Sequence, residues 1–512
     1  MRFCYIVVVV FLFTSCTERD SSASIPAQKK PNILLIVSED NGPELGCYGN
    51  AEVTTPHLDD LARHGVLYRN AFVTYSVCSP SRSTIFTGLY PHQNGQMGLA
   101  THQYRMYEKF KTLPVYLKEA GYRTGCLGKI HVNPEEAIPW DFHPIKSSNF
   151  AKKDLPGYAR YAREFMEENE DPFFLMVNFP DPHCPWQDQV EGMPEKPLAG
   201  TEIKNILPWV GVDNQRLRDL TAHYYNSINR MDEAVGMLLD SLRSSGKDEN
   251  TLIIYLGDHG AQFSRGKCSN YESGLKIPII MRWPGIIAEG QSNEALISTI
   301  DLLPTMVSAA GLAVPGNLPG TSLLVDVNKS EHPASYHEFI FADGAGSAAF
   351  YHYPRRSVRD KRFKLIHNLL FTRENPKYLA YAFQMYGTGT LPEELNDASD
   401  AVRAAYATWH QPTEFEFYDL ENDPSEFNNL ISDPKLRVEI ERLKSALATW
   451  QINTADPLAN PALLAKFTEE VDSVNIAYPN RDYGKNPDFR WHYPEYFKPY
   501  IDSLIAQNNG SK

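Results

Sequence analysis

Five consecutive apolar residues, Ile33-Leu34-Leu35-Ile36-Val37, stand between polar neighbours near the start of the chain. A short run without alternation suits a strand covered on both faces, as in a parallel sheet. Residues 173–177 (FFLMV) and 252–256 (LIIYL) repeat the pattern, and residues 122–127 form a shorter strand-like stretch. Between the FFLMV and LIIYL runs, Leu217, Leu220, Tyr224, Ile228, Met231, Val235, Leu238 and Leu242 recur at three- and four-residue steps, which predicts a long amphipathic helix. Thr55-Pro56 opens another helix, with Leu58, Leu61 and Ala62 on its apolar side and Gly65 as its stop. Strands alternating with helices predict a doubly wound α/β sheet.

The pattern changes near residue 346. Arg362-Phe363-Lys364-Leu365-Ile366 and Glu414-Phe415-Glu416-Phe417-Tyr418 alternate, as strands of a half-exposed sheet do. Residues 436–450 read as an amphipathic helix covering that sheet. The expectation is an α/β domain over residues 31–345 and a smaller antiparallel α+β subdomain over 346–512. Its tail, from about Tyr478, is rich in Pro and aromatics and wraps the surface. No internal repeat or long low-complexity block interrupts the chain.

At 512 residues and 42% hydrophobic content the protein is globular and too long for one small core. The formal charge of −14 argues against nucleic acid as a partner. Any anion site must then be a local pocket built from metal, Arg, Lys and helix ends. The first residues read as an export signal: Arg2, then an apolar run over 5–13 that is too short to span a bilayer. Leu12-Phe13-Thr14-Ser15-Cys16 resembles a bacterial lipoprotein cleavage site, with Cys16 as the lipidated residue. Residues 1–16 are then the signal and 17–30 a flexible tether. The expected location is outside the cytoplasm, periplasmic or anchored at the outer membrane of a bacterium, touching membrane only through the lipid. Of the seven cysteines, Cys47, Cys126, Cys184 and Cys268 have no metal-type spacing and are expected as buried free thiols.

The polar chemistry follows the strands. Glu39 and Asp40 come after the first run, Asp181 and His183 after the second, Asp258 and His259 after the third. In open parallel sheets ligands bind beyond the carboxyl ends of the strands, so these residues share an edge. Glu39, Asp40, Asp258 and His259 offer mostly hard oxygen donors, which suit Ca²⁺ or Mg²⁺ better than zinc. Gly128-Lys129-Ile130-His131 adds a cation for an anionic substrate and an imidazole for proton transfer. Lys267 could reach the same anion. Cys78-Ser79-Pro80-Ser81-Arg82 puts a thiol at a helix start, with Ser79 as N-cap and Pro80 in the first turn. Unpaired N–H groups there favour an anion, and Arg82 adds a fork of donors matched to a tetrahedral oxyanion.

The string Cys-x-Pro-Ser-Arg, continued by Thr87-Gly88, resembles the signature of the type I sulfatases. The other motifs follow in the order that family shows, ending with Tyr418-Asp419-Leu420-Glu421-Asn422-Asp423-Pro424-Ser425-Glu426, which looks like its subdomain signature. Glu39 stands where the family commonly has Asp, and Ser273 replaces the first Gly of a Gly-Gly pair. The resemblance implies an alkaline-phosphatase-like fold and a formylglycine nucleophile made from Cys78 by a formylglycine-generating maturation enzyme. It implies a divalent ion, Ca²⁺ ahead of Mg²⁺, held by Glu39, Asp40, Asp258, His259 and the modified residue 78. It further implies that Arg82, Lys129 and Lys267 neutralise the sulfuryl oxygens, that His183 protonates the leaving group, and that His131 helps expel sulfate.

Pro91-His92-Gln93-Asn94-Gly95, Tyr353-Pro354-Arg355-Arg356-Ser357-Val358 and Leu365-Ile366-His367-Asn368-Leu369 look closest to the sulfamidase branch, the heparan N-sulfatases. Lys267 departs, because that branch usually carries Arg. The implied substrate is a sulfated glycosaminoglycan oligosaccharide bearing terminal N-sulfoglucosamine. The competing expectations are an O-sulfatase on another sulfated glycan, a phosphoryl hydrolase of the same fold, and a non-catalytic glycan-binding lipoprotein. His102, His352, Arg355 and His367 are weaker candidates for contacts to sugar hydroxyls.

Overall fold

The structure is a computed structural model and describes residues 30–150, 154–324, 336–378, 380 and 387–510. The signal, Cys16 and all of the tether except Lys30 lie outside the described residues. The apolar runs form strands as the pattern requires: β1 (Asn32–Ser38), β2 (Val66–Phe72), β3 (Arg123–Leu127), β4 (Phe173–Asn178), β5 (Thr251–Gly257), β6 (Lys276–Arg282) and β7 (Gln291–Ser298). They make one sheet in the order β3-β4-β1-β5-β6-β2-β7. β1 pairs parallel with β4 and β5, and β2 parallel with β7. β6 runs antiparallel to both β5 and β2. Every residue of β1, β4 and β5 is buried, as strands covered by helices on both faces must be.

Two apolar layers fill the faces. One packs Leu34, Ile36, Leu175 and Val177 against the helix Gln215–Ser244, and the other packs Ile33, Leu35, Phe174 and Ile254 against the helix Leu302–Ala309. The long helix starts at the Asn214 cap, whose side chain accepts from Leu217 N. Its Asp232 carboxylate accepts from His57 N and Leu58 N at 3.1 and 2.8 Å, so one helix caps the first turn of another, Pro56–Arg63. That second helix ends at Arg63 with His64 as its C-cap, and Gly65 just beyond it also allows a close approach, since a Cβ there would lie 2.2 Å from Met281 O.

A second sheet, in the order β11-β10-β9-β8, is antiparallel throughout: β8 (Ile340–Gly344), β9 (Arg355–Arg359), β10 (Phe363–Asn368) and β11 (Phe415–Asp419). Leu365, Val358 and Phe417 on one face pack under the helix Arg437–Asn453. The strands follow the alternation in the sequence, and the covering helix its amphipathic pattern. The tail is more ordered than its composition suggests. It follows the helix Pro461–Ala477 and forms the helix Tyr493–Gly510, and Trp491 and Tyr493 pack on Tyr104. No helix of the described residues is long and apolar enough to cross a membrane.

Glu44 sits buried beside the long helix, accepting the Tyr224 hydroxyl at 3.0 Å, and burial pushes its carboxyl up to about 7. The folded protein therefore resists ionisation of Glu44 while the unfolded chain ionises freely. Its stability is full below the ordinary carboxyl range and falls as pH rises toward 7. Glu44→Gln, which keeps an acceptor for Tyr224, is expected to stabilise the protein by about 2 kcal/mol near pH 8 and by almost nothing near pH 4. Chemical denaturation at the two pH values measures it.

Candidate active site

The carboxyl ends of the strands bring the sequence motifs together. Glu39 and Asp40 follow β1 directly, Asp258 and His259 follow β5, His183 follows β4 by five residues and Lys129 follows β3 by two. β6 runs against its neighbours, so the segment preceding it, with Lys267, arrives at the same edge. Cys78 begins the helix Cys78–Thr87 after β2. The N-cap of that helix is Val77, not Ser79 as the sequence suggested. The Ser79 hydroxyl instead accepts from Ala100 N at 2.9 Å and holds the neighbouring loop.

Cys78 Sγ lies 3.2 Å from His259 Nε2 and 4.0 Å from Asp40 Oδ1. His259 Nδ1 is 3.0 Å from Gly260 O, and its Nε2 is turned toward Cys78 and Asp40. Burial pushes the Cys78 thiol far above its ordinary range, so the unmodified side chain is neutral and a poor nucleophile.

Around this point three buried carboxylates meet three buried cations. Arg82 donates to Glu39 Oε2 at 2.8 Å, to Asp258 Oδ2 at 3.1 Å and to Asn178 Oδ1 at 2.6 Å. Lys129 pairs with Glu39, and Lys267 grips both oxygens of Asp40 at 2.8 and 2.9 Å. Burial opposes ionisation of Glu39, yet Arg82 and Lys129 override it and hold the carboxylate well below its usual range. Burial likewise opposes Asp40, and His183 with Lys267 overrides it. Asp258 is raised, by burial first and by Glu39 second.

His183 Nε2 faces Asp40 at 3.8 Å, and its ring stacks on Phe150 with centroids 4.0 Å apart. Burial pushes His183 down to about 4, while Asp40 works the other way. Asp181, two residues earlier, takes no part in the cluster. Its carboxylate is clamped by Arg230 at 2.9 Å through both oxygens, and its carbonyl accepts from Glu39 N at 3.1 Å, so it fixes the loop. His131 has a left-handed backbone and ring nitrogens without a hydrogen-bond partner among the described residues. Burial, reinforced by Lys129, keeps that ring neutral.

The donor set fits a divalent ion. Glu39, Asp40 and Asp258 place carboxylate oxygens within 4.8 Å of one another, and Cys78, Asp258 and His259 form an overlapping group. Hard oxygens with one imidazole suit Ca²⁺ or Mg²⁺. Of the weaker candidates, His352 packs on Phe467 and His367 on Phe415, both as parts of the second subdomain. Arg355 reaches Cys268 O at 3.4 Å, one residue from Lys267. Two site residues escaped the sequence reading. Asn178 was signalled by its position as the polar end of an apolar run, but Phe150 carried no signal. Among the other thiols, Cys126, Cys184 and Cys268 are buried, Cys47 is half-buried, and none is in a disulfide among the described residues.

The stability of this cluster depends on charge pairing. Arg82→Met is expected to cost about 3–5 kcal/mol, because it leaves Glu39 and Asp258 buried without their cation. Thermal melting of the chelated protein is expected to rise by several degrees on adding about 1 mM Ca²⁺, and Asp40→Asn to remove that response. An unchanged melting curve would show that the cluster holds no ion.

The chain is similar to known proteins. The sulfatase family model matches residues 31–312, and the model described as N-sulphoglucosamine sulphohydrolase, C-terminal, matches residues 257–408. Human N-sulphoglucosamine sulphohydrolase is 34% identical over 461 residues, covering 83% of this chain and 91% of that protein. An ulvan-active sulfatase of Formosa agariphila is 32% identical over 463 residues, covering 87% and 84%. A solved structure in complex with its substrate D-glucosamine-2-N,6-O-disulfate superposes with a TM-score of 0.63 over 84% of this chain and 99% of that one. At 19% identity, that likeness speaks for the fold.

Proposed function

Since the chain belongs to the sulfatase family, we propose that it removes sulfate from a glycosaminoglycan sugar through a formylglycine made from Cys78, with terminal N-sulfoglucosamine as its substrate. The observation that carries this reading is the placement of Cys78 against Asp40 and His259, beside three cations, at the edge where every motif converges. The match of residues 257–408 to the sulfohydrolase C-terminal region supports the N-sulfate. The likeness to an ulvan-active sulfatase supports a second reading, an O-sulfatase on another sulfated glycan.

The hydrated aldehyde would supply one hydroxyl that attacks sulfur and a second whose deprotonation expels sulfate. A Ca²⁺ ion held by Glu39, Asp40, Asp258, His259 and residue 78 would polarise a sulfuryl oxygen and lower the pKa of the attacking hydroxyl. Arg82, Lys129 and Lys267 hold fixed positive charge where negative charge develops, which is usually the largest catalytic contribution. His183, stacked on Phe150 and turned toward Asp40, gives a proton to the leaving amine nitrogen. His131, kept neutral, accepts the proton of the second hydroxyl. Residues 1–16 supply the proposed export signal and Cys16 the lipid anchor of a bacterial periplasmic or outer-membrane lipoprotein.

Peptide mass spectrometry of native-host protein is expected to show a loss of about 18 Da at Cys78. The protein should release sulfate from N-sulfoglucosamine and not from the 6-O-sulfate. Release from an O-sulfate alone would favour the second reading. An unmodified Cys78 would overturn the mechanism.

In this reading the acid form of His183 is the active one, and burial pushes its pKa down to about 4. Activity is therefore expected to fall as pH rises above the acid side. His183→Asn should cost about 100-fold in kcat and flatten that limb of the pH profile.

A further inference from the structure

The segment 418–426 has no part in the chemistry above, yet it lies against the loop that carries Lys267. That loop runs from the end of β5 to the start of β6 and folds tightly on itself. Lys267 N donates to Ala261 O at 2.9 Å and Gly266 N to Phe263 O at 3.0 Å. A Cβ on Gly266 would lie 2.3 Å from Ala261 O. Arg265 and Cys268, on either side of Gly266-Lys267, both have left-handed backbones, with φ of 65° and 66°. Residues with a Cβ rarely adopt that region, so surrounding contacts must hold them there.

Those contacts come from the loop itself and from the second subdomain. The carbonyl of Arg265 accepts the Ser269 and Ser273 hydroxyls at 2.6 and 2.7 Å. Its side chain, 1% exposed, crosses to the turn after β11. There Nη2 donates to Ser425 O at 3.1 Å and Glu426 O at 2.7 Å. The guanidinium lies over the rings of Tyr271 and Phe427, at 4.5 and 4.9 Å. Nε and Nη1 have no hydrogen-bond partner among the described residues. A buried guanidinium spent on two carbonyls and two rings works as a rigid spacer more than as half of an ion pair.

Glu426 pins the far end of the same loop. Its own backbone is left-handed, with φ of 56°. Its Oε2 accepts from Glu272 N at 2.6 Å, at the start of the short helix Glu272–Leu275. Lys364 of β10 lies 3.1 Å from Glu272 Oε1 and 3.0 Å from Glu426 Oε1, and Arg359 of β9 reaches Glu272 Oε2 at 2.6 Å. The middle of the Lys267 loop, at Arg265, and its β6 end, at Glu272, are thus tied to Ser425-Glu426 and the strands beside it.

We propose that Arg265 is a positioning residue for Lys267, and that the turn Asp423-Pro424-Ser425-Glu426 is its anchor, so that the C-terminal subdomain sets where the lysine ammonium meets the substrate anion. The inference rests on the reading of Lys267 as a sulfuryl-binding cation. It assigns the C-terminal signature a task in turnover, carried through one loop. Arg265 touches no reacting atom and acts only by fixing Lys267.

A double-mutant cycle in the full-length matured protein tests it, read as kcat/KM on N-sulfoglucosamine or on nitrophenyl sulfate. Arg265→Met is expected to lower kcat/KM roughly 100-fold when Lys267 is present. In the Lys267→Ala background the same change should cost less than about 3-fold, because the group it positions is gone. Losses that multiply equally in both backgrounds would mean a general structural role and would overturn the proposal. A Lys267→Ala protein with wild-type activity, or a wild type that releases no sulfate, would instead remove the functional reading on which the proposal rests. Circular dichroism and melting curves check folding. If Arg265→Met does not fold, the same cycle with Glu426→Gln decides, with the same two outcomes.

Discussion

One guanidinium organises this molecule's chemistry. Arg82 is fully buried and touches Glu39 after β1, Asp258 after β5, Asn178 at the end of β4 and the carbonyl of Lys129 after β3. Four chain segments therefore meet at a single side chain. Burying an unpaired carboxylate or guanidinium is expensive, so no member of this set tolerates the loss of another. The pairing also has a use beyond stability. With Lys129 on Glu39 and Lys267 on Asp40, the cluster is close to neutral by itself, and the charges that would face a metal ion and a sulfate are already in position. Such preorganisation spares the reaction the cost of orienting dipoles as charge develops.

The sheet makes that convergence possible. Parallel strands deliver their carboxyl ends to one edge, and the antiparallel β6 returns the Lys267 loop to the same edge. A loop that long needs support from outside, since its own backbone visits costly conformations. The second sheet provides it through Arg359, Lys364 and the turn after β11. The subdomain thus does more than cover apolar surface. It is coupled to the edge where the chemistry sits through buried, charged contacts whose geometry is stiff.

Much of this was legible in the chain. Uninterrupted apolar runs located β1, β4 and β5, because a strand buried on both faces has no polar side to show. The candidate acids and histidines stood just beyond those runs, and a residue next to a strand end inherits the position of that end. The alternating pattern of β10 and β11 located the second sheet for the complementary reason. Other features were not legible. Ser79 looked like a cap and proved to be a loop contact. Gly65 follows the helix end as read, but its close approach to Met281 was not visible in the sequence. Phe150 lies in a loop of mixed composition, and nothing local marks it as the partner of His183. The helix Pro461–Ala477 was missed although Asn460 caps it, since its buried positions are few.

By itself, the sequence determined the kinds of groups available and their places relative to the strands, because hydrophobic periodicity and short motifs are local properties. It also carried the family likeness in its motif order. The tertiary structure alone decided which cation neutralises which carboxylate. Asp40 meets Lys267 across 227 positions, and Cys78 meets His259 across 181. Pairings at such separations follow from strand order, strand direction and the balance between desolvation and Coulomb attraction in a closed interior, none of which is written in any one segment. The same holds for Arg265 and Glu426, whose meaning appears only once two sheets are packed against each other.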